Sequence, residues 1–387
     1  NKMIAYFHDP IDKVFDIQGH EKRGEETLKC FGLQKPNNEF WKTADGIASG
    51  FERGQVPSYV SKDNKEDSTR SGMIDFKISP TITHPTTEGS ANIQFDLSKV
   101  NKEYIFKEVI KSLTTQIGAT PETCGFSNKD QFKNNPEAFA YSRFLYSHLA
   151  LRFKLAENNV AGLGALWHRL PADTRFPDHT IWQHNGLVSA LSSCIELGDK
   201  ENIAMMVVSI TPVQGFIAKA RKLRDYWTGS VILSWLAFEG IRWVIENLGC
   251  DHILYPSLID QPLVNEYLKT QGINEVNFLN KESEVASFPN KFLFLMPYNR
   301  SDDIAGEIKN AIIEKWGHLK DSMIKEYFDK DISDEEKKMI GALFQKQFNN
   351  YWDITWASIK LLDKNYEDKI KELLPPKSYE NNFKLLN

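Results

Sequence analysis

The stretch IAMMVVSI, residues 203–210, decides the fold class that this sequence predicts. Its residues are apolar and partly β-branched, which is typical of a buried strand. The segment TPVQGFIAKARKLRDYW follows at 211–227, where Thr211 is suited to cap a helix and Pro212 to its first position. We therefore predict a strand that leads directly into a helix.

The residues after this strand continue the alternation of strands and helices. The helix is expected to extend to about residue 248, and short strands are expected at HILYP (252–256) and FLFLMP (292–297). Helices are predicted over 301–327, 333–350 and 352–374. This order favours a ferredoxin-like α+β unit at 201–315 and a helical segment at 316–387.

The residues before 200 are predicted to form a helical domain. Apolar residues three and four positions apart indicate helices that run into His8-Asp9 and over 36–49, 101–117, 136–167 and 180–197. Between them, residues 54–100 are polar and rich in turn formers, so we predict a long insertion there. The overall prediction is an α+β protein with a helical first domain over 1–200.

Bulk composition limits the classes of partner and compartment. A chain of 387 residues suits two or three domains, and its net charge of −5 disfavours nucleic-acid binding driven by bulk charge. The four cysteines form no CxxC pair, which argues against a disulfide framework or a zinc knuckle and suits a reducing cytoplasm. No stretch resembles a signal peptide or a membrane span, so we expect a cytoplasmic protein with no membrane partner.

The stretch HDPIDKVFDIQGH, residues 8–20, is the first candidate metal site. An adjacent histidine and aspartate, His8 and Asp9, can offer an imidazole nitrogen and a carboxylate oxygen to one divalent cation, and His20 lies nearby. Isolated HD pairs also occur by chance. The stretch alone therefore leaves open whether these residues are ligands or ordinary polar residues.

Three residues elsewhere are further candidate ligands. Asp45 lies among small and apolar residues in TADGIASGFERG (43–54), where it is either a ligand or a polar residue at a helix end. His179 and His184 are five residues apart in DHTIWQH, so they point to different sides of one helix. They could share a metal only if His179 precedes the helix; otherwise His179 is a cap or a loop hydrogen-bonding residue, and we favour His184.

The segment after the 203–210 strand is a candidate nucleotide site. A helix that starts after a strand offers backbone N–H groups and its dipole to a phosphate. Ser209 and Gln214 can hydrogen-bond, and a cluster of basic residues follows at Lys219, Arg221, Lys222 and Arg224. The alternative interpretation of this cluster is a solvated basic face of a helix.

These motifs occur in an order that resembles a known family. The strings are FHDPIDKVFDIQGHEKRG, ADGIASGFERG, LWHRLPADTRFPDHTIWQHNGLVSAL, SITPVQGFIAKARKLRDYWTGSVILSWLAFEGI, GCDHILYPSLIDQPLVNEYL and ASFPNKFLFLMP. Spread over residues 1–300, they are similar to the large subunit of type III CRISPR effector complexes, in the III-B (Cmr) branch. That resemblance implies a circularly permuted HD nuclease domain followed by a ferredoxin-like palm domain.

The resemblance implies a set of metal ligands. His8, Asp9, Asp45 and His184 match the metal pattern of the family, and His20 and His179 are further candidates. Such a site would hold a divalent metal (Mn, Ni, Co or Mg) and cleave single-stranded DNA, with His8 and Asp9 required for catalysis. Many relatives have Asp before the last histidine, whereas this chain has Gln183, which puts the activity of the site in question.

The resemblance also implies nucleotide chemistry and partners. The palm would bind ATP at its interface with a second palm that carries a GGDD motif, whose carboxylates would hold Mg²⁺. The candidate nucleotide-binding residues of this chain are Ser209, Gln214, Arg221 and Arg224. The two palms would make cyclic oligoadenylate or a related messenger. No GGDD occurs in these residues, so we expect a part of a longer or split protein. The implied partners are other Cmr subunits, CRISPR RNA and target RNA.

Two other functions compete with this interpretation. The first is a non-catalytic subunit that acts in assembly and signalling and has a degenerate HD site. Gln183, at a position where an acid is expected, is compatible with this alternative. The second is a general HD phosphohydrolase that acts on small nucleotides, which would lack the palm segment. Metal bound at His8, Asp9 and His184 would distinguish the nuclease from the non-catalytic subunit.

Overall fold

The fold comprises two compact units, which we describe separately from a computed structural model. The first is built mainly from Asn1–Glu201 with Leu268–Leu279, and the second from Asn202–Tyr267 and Asn280–Leu361. The structure describes residues 1–53, 76–77, 80–84, 89–92, 97, 100–127, 129–174, 177–198, 200–274, 276, 279, 285–328, 333–348 and 351–362.

The first unit is mainly helical, as the sequence predicts. Its helices are α1 (Lys2–Tyr6), α2 (His20–Cys30), α3 (Lys42–Arg53), α4 (Lys102–Gln116), α5 (Pro136–Leu149), α6 (Leu151–Glu157) and α7 (Ile181–Glu196). Strand β1 (Thr81–Thr83) pairs antiparallel with β2 (Ser90–Asn92). This strand pair falls within the predicted 54–100 insertion, most of which lies outside the described residues.

Helix α7 passes through the core of the first unit and packs against α1 and α3. Its start is fixed by a capping box, in which Thr180 and Gln183 satisfy each other's backbone N–H groups. The indoles of Trp167 and Trp182 are fully buried, and the N–H group of each has a hydrogen-bond acceptor. Trp182 Nε1 donates to the carbonyl of Trp167 at 2.7 Å, and Trp167 Nε1 donates to the carbonyl of Val160 at 3.0 Å. The core therefore holds α7 in a defined position.

The predicted helix over 136–167 is interrupted in the structure. Helix α5 ends at Leu149, α6 ends at Glu157, and short 3₁₀ turns follow. Asn159 and Ala161 have φ values of 46° and 53°, which an α-helix cannot contain. The apolar spacing that predicted one helix therefore belongs to two helices and a turn.

The second unit contains a four-stranded antiparallel sheet. Its elements are β3 (Ile203–Thr211), α8 (Val213–Ile217), α9 (Leu223–Asn247), β4 (Ile253–Tyr255), most of α10 (Pro262–Thr270), β5 (Lys291–Pro297), α11 (Ser301–Phe328), α12 (Asp334–Phe348) and β6 (Asp353–Lys360). The strand order is β4-β5-β3-β6, with every neighbouring pair antiparallel. The predicted α+β class is confirmed.

Helices α9 and α11 pack against each other and cover the face of the sheet that carries Phe292. A Cβ at Gly240 of α9 would lie 2.8 Å from the Phe292 ring and 3.1 Å from Ile312 of α11, so this close approach requires glycine. Met206 and Val208 are buried, whereas Val207, between them on β3, is 37% exposed. The stretch that predicted a buried strand is thus buried on alternate residues only.

The predicted helix over 352–374 is wrong where the structure describes it. Residues Asp353–Lys360 form strand β6, which pairs with β3 from Ala204↔Lys360 to Thr211↔Asp353. The α+β unit therefore extends beyond the predicted limit at 315, and 316–387 is not a purely helical segment. The DITWASIK sequence, rich in β-branched and aromatic residues, suits a strand once β3 is available as its partner. Residues 363–374 lie outside the described residues.

The predicted long helix after β3 is also divided. Helix α8 ends at Ile217, and α9 begins only at Leu223. Thr211 is the last residue of β3 and donates its Oγ1 hydrogen bond to the carbonyl of Asp353 at 3.0 Å, so it does not cap a helix. None of the described helices combines the length and the hydrophobicity that a transmembrane segment requires.

Candidate metal centre

Four segments of the first unit bring imidazole and carboxylate groups to one place. His8 and Asp9 follow the end of α1, and His20 is the first residue of α2. Asp45 lies in the first turn of α3, and His184 lies near the start of α7. The packing of α7 against α1 and α3 therefore assembles residues that are up to 176 positions apart.

The distances between these groups are compatible with one shared cation. His184 Nε2 lies 3.3 Å from Asp45 Oδ1 and 3.7 Å from Asp9 Oδ2, and His8 Nε2 lies 3.6 Å from Asp9 Oδ2 and 3.8 Å from Asp45 Oδ1. Ligands bound to a cation at about 2.1 Å lie about 3.0–3.5 Å from one another. The donors of His8, Asp9 and His184 could hold a metal after a small contraction. On the opposite oxygen of Asp9, His20 Nε2 lies 3.7 Å from Oδ1.

The histidine rings are oriented by hydrogen bonds on their far side. His8 Nδ1 lies 2.7 Å from the carbonyl of Ala5, and His20 Nδ1 lies 2.5 Å from the carbonyl of Ile17. A carbonyl can only accept, so each Nδ1 carries a proton, and each Nε2 faces the carboxylates. Metal-ligating histidines are held by the same kind of contact.

Asp9 is the charged centre of the group and is only 3% exposed. Burial alone would raise its pKa, but the charges of Lys13, His8 and His184 lower the pKa of Asp9 to about 2. Burial likewise raises the pKa of Asp45, but its polar contacts with His184 and His8 hold that pKa well below its usual range. Both carboxylates are therefore ionised near neutral pH and able to bind a cation.

Two residues that the sequence analysis did not select support Asp9. Lys13 Nζ lies 2.5 Å from Asp9 Oδ2, and Asn185 Nδ2 donates to the backbone carbonyl of Asp9 at 3.0 Å. Burial would lower the pKa of Lys13, but the charge of Asp9 outweighs it and holds that pKa above its usual value. Lys13 was visible only as a lysine four residues after Asp9, and Asn185 only as the neighbour of His184.

The backbone of His8 is positioned by close contact with α2. A Cβ at Gly24 would lie 2.5 Å from the carbonyl oxygen of His8, so only glycine allows α2 to approach this closely. The same helix begins with His20. Gly24 therefore fixes the separation between the segment of His8 and the segment of His20.

His179 lies beside the group. It precedes the N-cap residue Thr180, the location required for it to share a metal with His184, and the two ring centroids are 6.4 Å apart. His179 Nδ1 contacts Asp178 Oδ1 at 2.7 Å. Among the described residues, the donor atoms of His8, Asp9 and His184 all lie within 4.8 Å of one another, whereas Asp45, His20 and His179 are not in that group. The assignment of His179 as a ligand stays a prediction.

Gln183 has a local role at the start of α7. Its side-chain oxygen accepts from the backbone N–H of Thr180 at 2.8 Å and from the Thr180 hydroxyl at 3.1 Å. The residue is exposed, whereas its neighbour His184 is buried. Gln183 therefore forms part of the cap at the start of α7.

The candidate nucleotide residues lie in the second unit at the end of β3. Ser209 is on β3 between Lys291 and Thr355 of the neighbouring strands, and Gln214 is exposed on α8. Arg221 lies in the connection between α8 and α9, Arg224 lies in the first turn of α9, and both are exposed. The basic residues are therefore exposed to solvent, as the alternative interpretation holds, but Lys219, Arg221 and Lys222 lie between α8 and α9 and not on one helix face. Their assignment to a nucleotide site stays a prediction.

Comparisons with known proteins identify relatives of the chain. Residues 205–321 match the family model of CRISPR-associated protein Cmr2, N-terminal. The chain is 28% identical to the CRISPR system Cmr subunit Cmr2 of Pyrococcus furiosus over 393 residues, which cover 95% of this chain and 43% of that protein. It is 38% identical to the Cmr2 subunit of Saccharolobus solfataricus over 93 residues, which cover 24% of this chain and 9% of that protein.

Solved structures share the fold. A chain of a type III-B Cmr-beta complex in the apo state aligns with a TM-score of 0.66 at 18% identity, covering 98% of this chain and 40% of that one. The same type of complex bound to cognate target RNA gives a TM-score of 0.63 at 18% identity, covering 98% and 39%. The predicted resemblance to the type III-B large subunit is thus confirmed, and the chain spans less than half the length of these relatives.

The close approach at Gly24 predicts a position-specific effect of alanine. Gly24→Ala should lower the free energy of unfolding by about 1–3 kcal/mol, because the new Cβ meets the His8 carbonyl. Gly46→Ala is the matched control, since no atom lies within 4 Å of its added Cβ and alanine favours the helix by about 0.5–1 kcal/mol. Urea unfolding measures both, and equal changes in the two variants would contradict the packing described for Gly24.

The low pKa of Asp9 predicts how stability depends on pH. The pKa is about 2 in the folded chain and about 3.9 in an unfolded one, so the contribution of Asp9 is complete above about pH 5 and is lost as pH falls toward 2. Asp9→Asn should therefore reduce the slope of unfolding free energy against pH between pH 4 and 3 by up to about 1.4 kcal/mol per pH unit.

Urea unfolding at several pH values tests this prediction. Asp321→Asn, which alters an exposed carboxylate of α11, is the control and should keep the wild-type slope. A slope in Asp9→Asn that equals that of the wild type would show that Asp9 is not preferentially ionised in the folded chain.

Proposed function

We propose that the first unit is an HD-type, metal-dependent nuclease domain of a type III-B effector subunit and that it cleaves single-stranded DNA. The observation that carries this proposal is the convergence of His8, Asp9, Asp45 and His184 from three separate segments. Mixed imidazole and carboxylate donors suit first-row divalent metals such as Mn, Co or Ni, and the carboxylates also suit Mg.

The buried residues of the site would bind the metal, and the exposed residues would face the DNA. His8, Asp9 and His184 have side chains that are 6%, 4% and 2% exposed, so they would hold the metal from the interior. Asp45 and His20 are 39% and 30% exposed, so the DNA backbone would approach from their side. A bound divalent metal would supply a Lewis acid for the phosphodiester and lower the pKa of a water molecule.

The ionisation of the site suits such a role near neutral pH. The lowered pKa values of Asp9 and Asp45 mean that neither carboxylate must lose a proton before it binds a cation. The Nδ1 contacts of His8 and His20 leave Nε2 as the ring nitrogen that would bind the metal. The chain would therefore present its ligands preformed.

The biological setting is proposed from the relatives. The Cmr2 proteins are subunits of CRISPR systems, and one of the similar complexes is bound to cognate target RNA. We expect this chain to assemble with other Cmr subunits around CRISPR RNA and target RNA, and its DNA cleavage to depend on that target RNA. A general phosphohydrolase would not require the second unit, within which most of the family match lies.

Replacement of both His8 and Asp9 by alanine should abolish Mn²⁺-dependent cleavage of single-stranded DNA by the assembled, target-bound complex. We expect a loss of at least about 100-fold, because ligand and supporting residues of metal sites each contribute about 10–100-fold or more. The readout is the cleavage rate of a labelled oligonucleotide, together with the thermal unfolding temperature of the variant.

The control is the double variant His318→Ala and Asp321→Ala, which removes an exposed histidine and aspartate from α11. It should cleave at the wild-type rate. Unchanged cleavage in the His8 and Asp9 variant would favour the alternative, a non-catalytic subunit with a degenerate site.

The second unit is proposed to form half of a nucleotide-messenger synthase. The exposed basic segment Lys219–Arg224 directly follows the α8 helix at the end of β3, a location suited to phosphate groups. ATP and Mg²⁺ would bind there together with a GGDD-bearing palm from outside this sequence. The expected product is cyclic oligoadenylate or a related messenger.

Arg221→Ala with Arg224→Ala should reduce messenger synthesis from ATP by at least about tenfold in the complete, target-bound complex, because two charges that face phosphate are removed. The matched control is Lys338→Ala with Lys346→Ala on α12, which removes two exposed cations and should leave synthesis unchanged. Equal product from the two double variants, measured by chromatography, would contradict a nucleotide-binding role of the arginines.

A further inference from the structure

Lys13 places a positive charge inside the candidate metal centre. Its Nζ lies 2.5 Å from Asp9 Oδ2, and that same oxygen lies 3.6 Å from His8 Nε2 and 3.7 Å from His184 Nε2. The ammonium and a metal held by these histidines would therefore share one carboxylate oxygen. Because both are cations, their simultaneous contact with that oxygen would be electrostatically unfavourable.

The surroundings of Lys13 direct it to Asp9. The nearby acids Asp12 and Asp16 are paired with Arg23, and Asp16 is also 3.2 Å from Lys102. Asp45 and Asp173 act on Lys13 electrostatically, in addition to its contact with Asp9. Lys13 is therefore the cation that balances the carboxylates on the metal side of this segment.

The geometry also gives Lys13 a way to leave Asp9. Its backbone is held in a short 3₁₀ turn, where Lys13 N donates to the Pro10 carbonyl at 2.9 Å, so the chain itself need not move. Its side chain is 19% exposed, compared with 4% for Asp9. The flexible four-carbon stem can thus rotate toward solvent while Asp9 stays in place.

We infer that Lys13 competes with the divalent cation for Asp9 and thereby sets the metal affinity of the site. In the metal-free chain the ammonium neutralises Asp9; metal binding displaces the ammonium from Oδ2. This inference rests on the proposed metal centre and assigns to it a residue that controls loading. Lys13 is a positioning residue here, since it acts on the metal through Asp9.

Isothermal titration of the full chain with MnCl₂ tests the competition. Lys13→Gln removes the charge and retains a donor, and it should bind Mn²⁺ at least about tenfold more tightly than the wild type, since one repulsive charge at close range is lost. Lys102→Gln is the matched control, because Lys102 pairs with Asp16 outside the donor group. It should keep the wild-type affinity.

A second measurement needs no variant. Reductive methylation of lysines, followed by mass spectrometry, reports how freely each amine reacts in the wild-type chain. Addition of Mn²⁺ should increase the labelling of Lys13 and leave that of Lys102 unchanged. Equal labelling of Lys13 with and without Mn²⁺ would overturn the inference, even if Lys13→Gln fails to fold as judged by circular dichroism.

The outcomes separate this inference from the proposed function. If the wild type and His184→Ala bind Mn²⁺ equally or not at all, the proposed metal centre is wrong. If His184→Ala loses binding but Lys13→Gln binds no more tightly than the wild type, the metal centre stands and the competition is wrong. A weaker affinity in Lys13→Gln would mean that Lys13 supports the ligand geometry instead.

Discussion

The ion pair between the buried Asp9 carboxylate and Lys13 is the interaction on which the first unit depends. An ionised carboxylate that is 3% exposed is costly unless cations and donors surround it. Lys13 supplies the nearest cation, at 2.5 Å, and His8 and His184 contribute from two other segments. The need to compensate one charge therefore draws together the end of α1, the turn that follows it and the start of α7.

Specific contacts hold the backbone around Asp9 in place, in addition to the charges that surround its side chain. Asn185, with no exposed surface, donates to the Asp9 carbonyl, and Gly24 lets α2 lie against the His8 carbonyl. The capping box at Thr180 sets where α7 begins and therefore where His184 lies along its axis. These contacts involve main-chain groups, so they fix the donor positions even before a metal binds.

The sequence predicted the helical first unit because amphipathic spacing is a local pattern. It predicted the candidate ligands because the family motifs occur in a fixed order along the chain. Amphipathic spacing identified α4 and α7, and the family pattern selected His8, Asp9, Asp45 and His184. Strand β6 was missed because its partner β3 is about 150 residues away, and a short stretch such as DITWASIK carries no clear period without that partner. Lys13 was missed because a lysine in a polar stretch usually faces water, and only the fold reveals that the acids beside it are occupied by Arg23.

The proposed metal centre would have to fold before it is loaded, which creates an electrostatic conflict that Lys13 would resolve. Two ionised carboxylates with oxygens close to the same histidines repel each other in a metal-free chain. A permanent positive charge would remove that repulsion but would also weaken metal binding. A lysine on a flexible stem can provide the charge during folding and withdraw when a divalent cation arrives. An arginine paired with two acids, as Arg23 is with a hydrogen bond to Asp12 and an ion pair with Asp16, would be displaced with more difficulty. The two positions therefore call for different cations: Arg23 pairs permanently with Asp12 and Asp16, whereas Lys13 would neutralise Asp9 only until a metal binds.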